Sequence, residues 1–102
     1  MNVNASIKKV YLDMITKGTK TTEYRDMSVY WTEKLVDVSS YGGMTTQEVI
    51  DGLQQGKLKL NARPIDTITF WCEGTRTRYA VGSINVYKGH KLFAIRLGKQ
   101  IK

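Results

Sequence analysis

The sequence has few of the residues on which much protein chemistry depends. One cysteine, Cys72, stands in 102 residues, so no disulfide closes within the chain and no four-cysteine zinc site is available. His90 is the single histidine. HExxH chemistry, and any metal site built on two histidines, is therefore excluded. No metal and no cofactor is expected. Proline occurs once, at Pro64, and no Pro/Ser-rich linker or internal repeat divides the chain. No apolar run approaches the roughly 18–20 residues of a membrane span. The opening MNVNASIKK lacks an apolar core of the kind a secretory signal carries. With a lone thiol, this reads as a chain of a reducing, cytoplasmic compartment that is not directed to a membrane. The length suits one domain over residues 1–102, with a single modest core.

Positive charge is in excess. The net charge is +7, and its distribution is uneven. Residues 1–56 carry six Lys or Arg against seven Asp or Glu, whereas residues 57–102 carry ten against two. A basic half of this kind suits a polyanionic partner, with nucleic acid foremost, but also suits lysines that merely face water.

The pattern of apolar residues gives an α+β chain. Ile7, Val10, Tyr11, Met14 and Ile15 fall on one helical face over Lys8–Lys17, and Gly18 follows as a helix-ending glycine. Thr21–Arg25 reads as a strand, with Tyr24 turned to the core. Asp26 or Ser28 caps a short helix through VYWTEKL. Thr45 and Glu48 have capping-box spacing ahead of a helix that buries Val49, Ile50 and Leu53 and ends at Gly56. Leu58 and Leu60 alternate with lysines in an expected short strand. Three further runs follow. Ile68, Phe70 and Cys72 share one face, as do Ala80, Gly82, Ile84 and Val86, and then Phe93, Ile95 and Leu97. Consecutive strands joined by short turns give a small, mainly antiparallel β-barrel with two or three short helices.

The densest polar cluster is Gly18 to Asp26. On an extended segment Thr21, Glu23 and Arg25 point one way, with Lys20 at its mouth. Such a set either lines a cleft or forms a solvated strand face of paired charges. In a cleft, Arg25 grips phosphate, Glu23 accepts from a base amino group, and Lys20 binds phosphate or acts as a base. A second cluster follows Glu73-Gly74, where Arg76 and Arg78 flank Thr77 in an expected turn. Trp71, opposite in phase to Phe70, either faces outward to stack a base or packs under a helix. Trp31 lines the cleft or packs, and Arg96 lies on the face opposite Phe93 and Ile95.

The stretch IKKVYLDMITKGTKTTEYRDMSVYW resembles the opening of ASCH-domain proteins, a branch of the PUA-like superfamily. The resemblance is carried by Tyr11, Met14, Ile15, Gly18, Lys20, Thr21, Glu23 and Arg25, followed by Tyr30-Trp31. The closing LFAIRLGKQI resembles the last strand of small phage and prophage members. The resemblance covers residues 5–35 well and residues 65–101 in part, and leaves 36–64 unaligned. It implies a PUA-like barrel with a cleft lined by this motif, and RNA- or modified-nucleotide-related work. Lys20, Thr21, Arg25, Trp31, Trp71, Arg76, Arg78 and Arg96 are the candidate nucleic-acid contacts. Some ASCH proteins deacetylate N4-acetylcytidine with a lysine, a threonine three residues later and a distant glutamate. Lys20 matches the lysine, Glu23 replaces the threonine, and Glu73 is the candidate distant acid. The enzymatic alternative is thus a nucleoside amidohydrolase or a metal-independent ribonuclease, with Lys20, Glu23 and Glu73 as catalytic candidates. A further alternative is a phage-encoded inhibitor of a host protein.

Overall fold

The computed structural model describes residues 1–102. Five strands and three α-helices follow in the order β1 (Asn2–Ser6), α1 (Lys9–Thr16), β2 (Thr22–Asp26), α2 (Val29–Leu35), α3 (Thr46–Gln54), β3 (Thr67–Cys72), β4 (Thr75–Tyr87) and β5 (Leu92–Ile101). A 3-10 turn at Val38–Tyr41 separates α2 from α3. The α+β class is as expected. The strands lie in the order β1-β3-β4-β5-β2 in one sheet. That sheet is mixed: β3 and β4 pair antiparallel, in keeping with the mainly antiparallel expectation. The addition to it is that β1 runs parallel to β3, with Val3 beside Ile68 and Ala5 beside Phe70. No helix is long and apolar enough to cross a membrane.

The chain packs as two compact units. The first comprises Met1–Glu23, Pro64–Ser83 and Ile95–Lys102; the second comprises Tyr24–Arg63 and Ile84–Ala94. In the first, Val3 and Ala5 of β1, Ile68, Phe70 and Cys72 of β3, Tyr79 of β4 and Ile15 of α1 are buried together with Ile95. Phe70 meets Tyr79 edge-on, with ring centroids 6.0 Å apart. The Tyr79 hydroxyl leaves the core by hydrogen bonding to Thr16 Oγ1 at 3.2 Å. Burying a side chain of the size of Phe70 or Ile68 stabilises the fold by roughly 1.5–3 kcal/mol.

Helix α1 departs from its pattern. Ile15 alone of the expected face is buried, while Val10, Tyr11 and Met14 are exposed. Periodicity placed these residues on one stripe, but a stripe is buried only where a neighbour covers it. Alternation in β4 also differs from expectation. Tyr79, not Ala80, is the buried residue, because its register partner is Ile68 on the core face of β3. Farther along, Ile84 and Val86 are the more covered residues and Asn85 and Tyr87 the exposed ones, as expected.

The second unit is built on α2 and α3, which pack on each other. Ser28, not Asp26, caps α2, its side chain accepting from the Trp31 N–H at 3.1 Å. Thr45 and Glu48 form the full capping box of α3. Leu35, Val36, Val49, Ile50, Leu53, Met27 and Phe93 are buried. The expected strand through Leu58 and Leu60 is absent. The Lys57 and Leu58 N–H groups both go to the Gly52 carbonyl, at 2.9 and 3.1 Å. The Tyr41 hydroxyl then donates to the Lys59 carbonyl and accepts from the Asn61 N–H. The helix end and one tyrosine thus take the backbone groups that a strand partner would have needed.

Candidate nucleic-acid interface

Strand pairing in the first unit decides which polar side chains meet. Glu73 and Gly74 have φ of 50° and 79°, the left-handed pair that a two-residue hairpin turn requires. This turn sets Cys72 opposite Thr75, Trp71 opposite Arg76 and Thr69 opposite Arg78. Arg76 and Arg78 therefore lie in β4, not in a turn. Side chains alternate along each strand, so Trp71, Thr69, Arg76 and Arg78 share the face turned away from Ile68, Phe70 and Cys72. Asn2, Asn4 and Ser6 of β1 complete it, beside Thr67, Thr69 and Trp71 in register.

This face is polar and held in place by its own bonds. Trp71 is 42% exposed. The Arg76 guanidinium lies over its indole, 5.3 Å from the ring centroid, within cation–π range. Thr69 is buried. Its hydroxyl donates to Asn2 Oδ1 at 3.0 Å and lies 3.5 Å from Arg78 Nε, while Thr67 also donates to Asn2 Oδ1 at 2.8 Å. A guanidinium restrained through a threonine and an asparagine loses less freedom when it meets an anion. A groove of about 360 Å³ runs beside these residues, lined by Thr69, Arg76, Thr77, Arg78, Gln100, Ile101 and Lys102. Gly98 keeps the neighbouring surface low: a Cβ there would lie 3.3 Å from the Ala80 methyl. The outward residues of β1, β3 and β4 in this unit include no carboxylate. The unit holds nine Lys or Arg against four Asp or Glu.

No family model, curated protein or solved structure matches the chain.

Lys20 Nζ lies 3.0 Å from Glu23 Oε1, with both side chains largely buried. The same ammonium donates to the Thr22 carbonyl at 2.8 Å. Lys20 is thus folded back onto its own strand. Thr21 precedes β2 and is exposed, its carbonyl accepting from Leu97 N–H at 2.8 Å. In the second unit, the Arg25 guanidinium sits 5.1 Å from the Trp31 ring centroid. Tyr30 meets Trp31 edge-on at 5.5 Å and carries Lys34 at 5.0 Å. Tyr24, expected in the core, is 44% exposed, its ring tilted against that of Tyr87 with centroids 5.4 Å apart. Arg96 is exposed on β5 beside Gly82. Glu73 sits exposed at the hairpin tip.

Chemically, the first-unit face offers the Trp71 ring, the Arg76 and Arg78 guanidiniums, the Lys102 ammonium and the amides of Gln100, Asn2 and Asn4. A base stacks on the indole, guanidiniums take phosphate oxygens, and the Gln100 amide both donates and accepts. Thr69, Gln100, Lys102 and the β1 asparagines were not singled out from sequence. Counting back from a two-residue Glu73-Gly74 turn would have paired Trp71 with Arg76. Nothing local marks the pairing of β1 with β3.

Proposed function

We propose that the chain is an RNA-binding domain of ASCH type, with a PUA-like barrel, that takes single-stranded RNA across the outer face of β1, β3 and β4. The supporting observation is the exposed Trp71 with Arg76 over its ring, in a row with Arg78 and without a carboxylate. Base–aromatic stacking contributes roughly 1–3 kcal/mol per base and tolerates any sequence. Each phosphate neutralised on a single strand adds about 0.7 to the slope of log affinity against log salt. The test is anisotropy of a labelled RNA 12-mer at several salt concentrations. Arg76→Gln and Arg78→Gln should each lower the slope by about 0.7. Affinity that does not change with salt, or slopes untouched by both substitutions, overturns the reading.

A second reading is favoured by one observation, the Lys20–Glu23 pair. A lysine held beside a carboxylate is the arrangement a hydrolase of acylated nucleosides would use for proton transfer. Turnover of N4-acetylcytidine that is lost in Lys20→Ala, with the fold intact by circular dichroism, would establish it.

A further inference from the structure

The second unit contains a pocket that the nucleic-acid face does not use. It has a volume of about 240 Å³ and lies between the last turn of α3 and the β4–β5 hairpin. Met27, which is buried, Val86 and Tyr87 supply its apolar surface; Gln54 and Gln55 supply amides; Lys88 and Lys91 supply the charge. No carboxylate lines it. We infer that this pocket binds a nucleoside monophosphate, with the base against Met27 and Val86 and the phosphate at Lys88 and Lys91.

The chemistry matches group by group. A base needs a flat apolar surface for its ring, and the Met27 thioether is polarisable and adaptable. Its edge needs a donor and an acceptor at fixed spacing, which a glutamine amide provides. Gln54 stands in the last turn of α3, so its backbone is held by the helix. Two ammonium groups suit a dianionic phosphate. The hairpin is braced as well. Met27 N–H donates to the Lys91 carbonyl at 3.0 Å and His90 N–H to the Tyr87 carbonyl at 3.2 Å. The rings of Tyr87 and His90 stack at 4.2 Å. Lys88 Nζ lies beside Gly56, just past the α3 C-terminus, where helix carbonyls favour a cation. The mixture of apolar, amide and cationic lining suits a base with one phosphate.

This inference stands on the second unit alone and does not require RNA on the sheet face. The experiment is an amide-detected NMR titration of the folded chain with AMP or UMP, with adenosine and inorganic phosphate as separate arms. Saturable shifts at Gln54, Gln55, Lys88 and Gly89 are expected, tighter for the monophosphate than for either part. Lys88→Glu should weaken binding at least tenfold, and Gln54→Leu should do so without altering charge. Trp71→Ala should leave the titration unchanged even though it weakens RNA binding. Inorganic phosphate binding as tightly as AMP, no shifts at these residues, or wild-type affinity in both folded pocket variants overturns the inference.

Discussion

The Arg76 guanidinium lies 5.3 Å from the centroid of the Trp71 indole, and the two residues are direct cross-strand partners in the β3–β4 hairpin. Pairing fixes where both side chains start, so neither has to search for the other. The indole is 42% exposed, and the contact at an exposed site contributes only about 0.5–1 kcal/mol to stability. Its greater effect is on shape, because it presents a ring and a charge together.

Trp71→Ala should therefore separate binding from folding. Stability in urea should fall by no more than about 1 kcal/mol, while affinity for a single-stranded RNA should fall roughly 10- to 100-fold, the value of one stacked base. Trp71→Phe should recover part of the loss. Tryptophan fluorescence on adding RNA should be quenched in the wild type and unchanged in Trp71→Phe. Equal losses of stability and affinity would instead make Trp71 a packing residue.

The Lys20–Glu23 pair calls for the opposite result. Both side chains are largely removed from water, and Lys20 also donates to the Thr22 carbonyl. Removing one partner strands a charge, which costs on the order of 3 kcal/mol. Lys20→Met and Glu23→Leu should each destabilise by about that amount. The double variant should lose much less than the sum, as read from urea unfolding. RNA affinity of the folded protein should stay within about twofold, because this ammonium is already held by Glu23 and the Thr22 carbonyl. Additive losses below about 0.5 kcal/mol each would show a solvent-screened pair.

These two sites mark how far the residues alone could be read. Local spacing leaves Trp71 open between an outward and a packed position, whereas the capping box of α3, the helix positions and the core faces of β3 and β5 follow from it. They are repeated by the structure because each depends on neighbours within about four positions. Arg76 and Arg78 were legible as candidates, but their strand was missed, since Glu73-Gly74 reads as a turn of undefined length. Lys20, Glu23 and Arg25 were legible as a polar cluster. Whether Lys20 reaches outward or folds onto Glu23 depends on a loop path that spacing does not encode. The parallel pairing of β1 with β3 joins residues about 65 positions apart, and no local pattern carries that information.

Gly52 is a position at which local propensity gives the wrong sign. In an ordinary helix, glycine to alanine stabilises by about 1 kcal/mol. Here a Cβ would lie 2.5 Å from Leu58 Cδ1 and 2.7 Å from its Cγ. The added methyl has to displace a branched side chain in the segment that folds back on α3, so overpacking dominates. Gly52→Ala should destabilise by about 1–3 kcal/mol. In a Leu58→Ala background the same change should become neutral or stabilising. Thermal unfolding of the four proteins gives the coupling directly. An unchanged sign in both backgrounds would remove Leu58 as the cause.

The capping box makes acid stability depend on Glu48. Its carboxylate accepts from the Thr45 N–H at 2.9 Å. That backbone bond first, and then the Thr45 side chain, hold its pKa below the ordinary value. Between the lowered folded value and the ordinary unfolded value the unfolded chain binds more protons, so stability rises with pH there. The charge-dependent contribution is complete above the ordinary carboxylate range and is lost as pH falls through the folded pKa. Glu48→Gln keeps the shape and removes the charge. The stability gap between wild type and Glu48→Gln, from urea unfolding, should be constant above the ordinary carboxylate range and should close as pH falls through and below that range. Thr45→Ala should cost about 1 kcal/mol even at low pH, because its hydroxyl accepts the Glu48 N–H whatever the charge. A Glu48 gap that widens on acidification would reverse the sign and exclude the capping carboxylate as the acid-sensitive group.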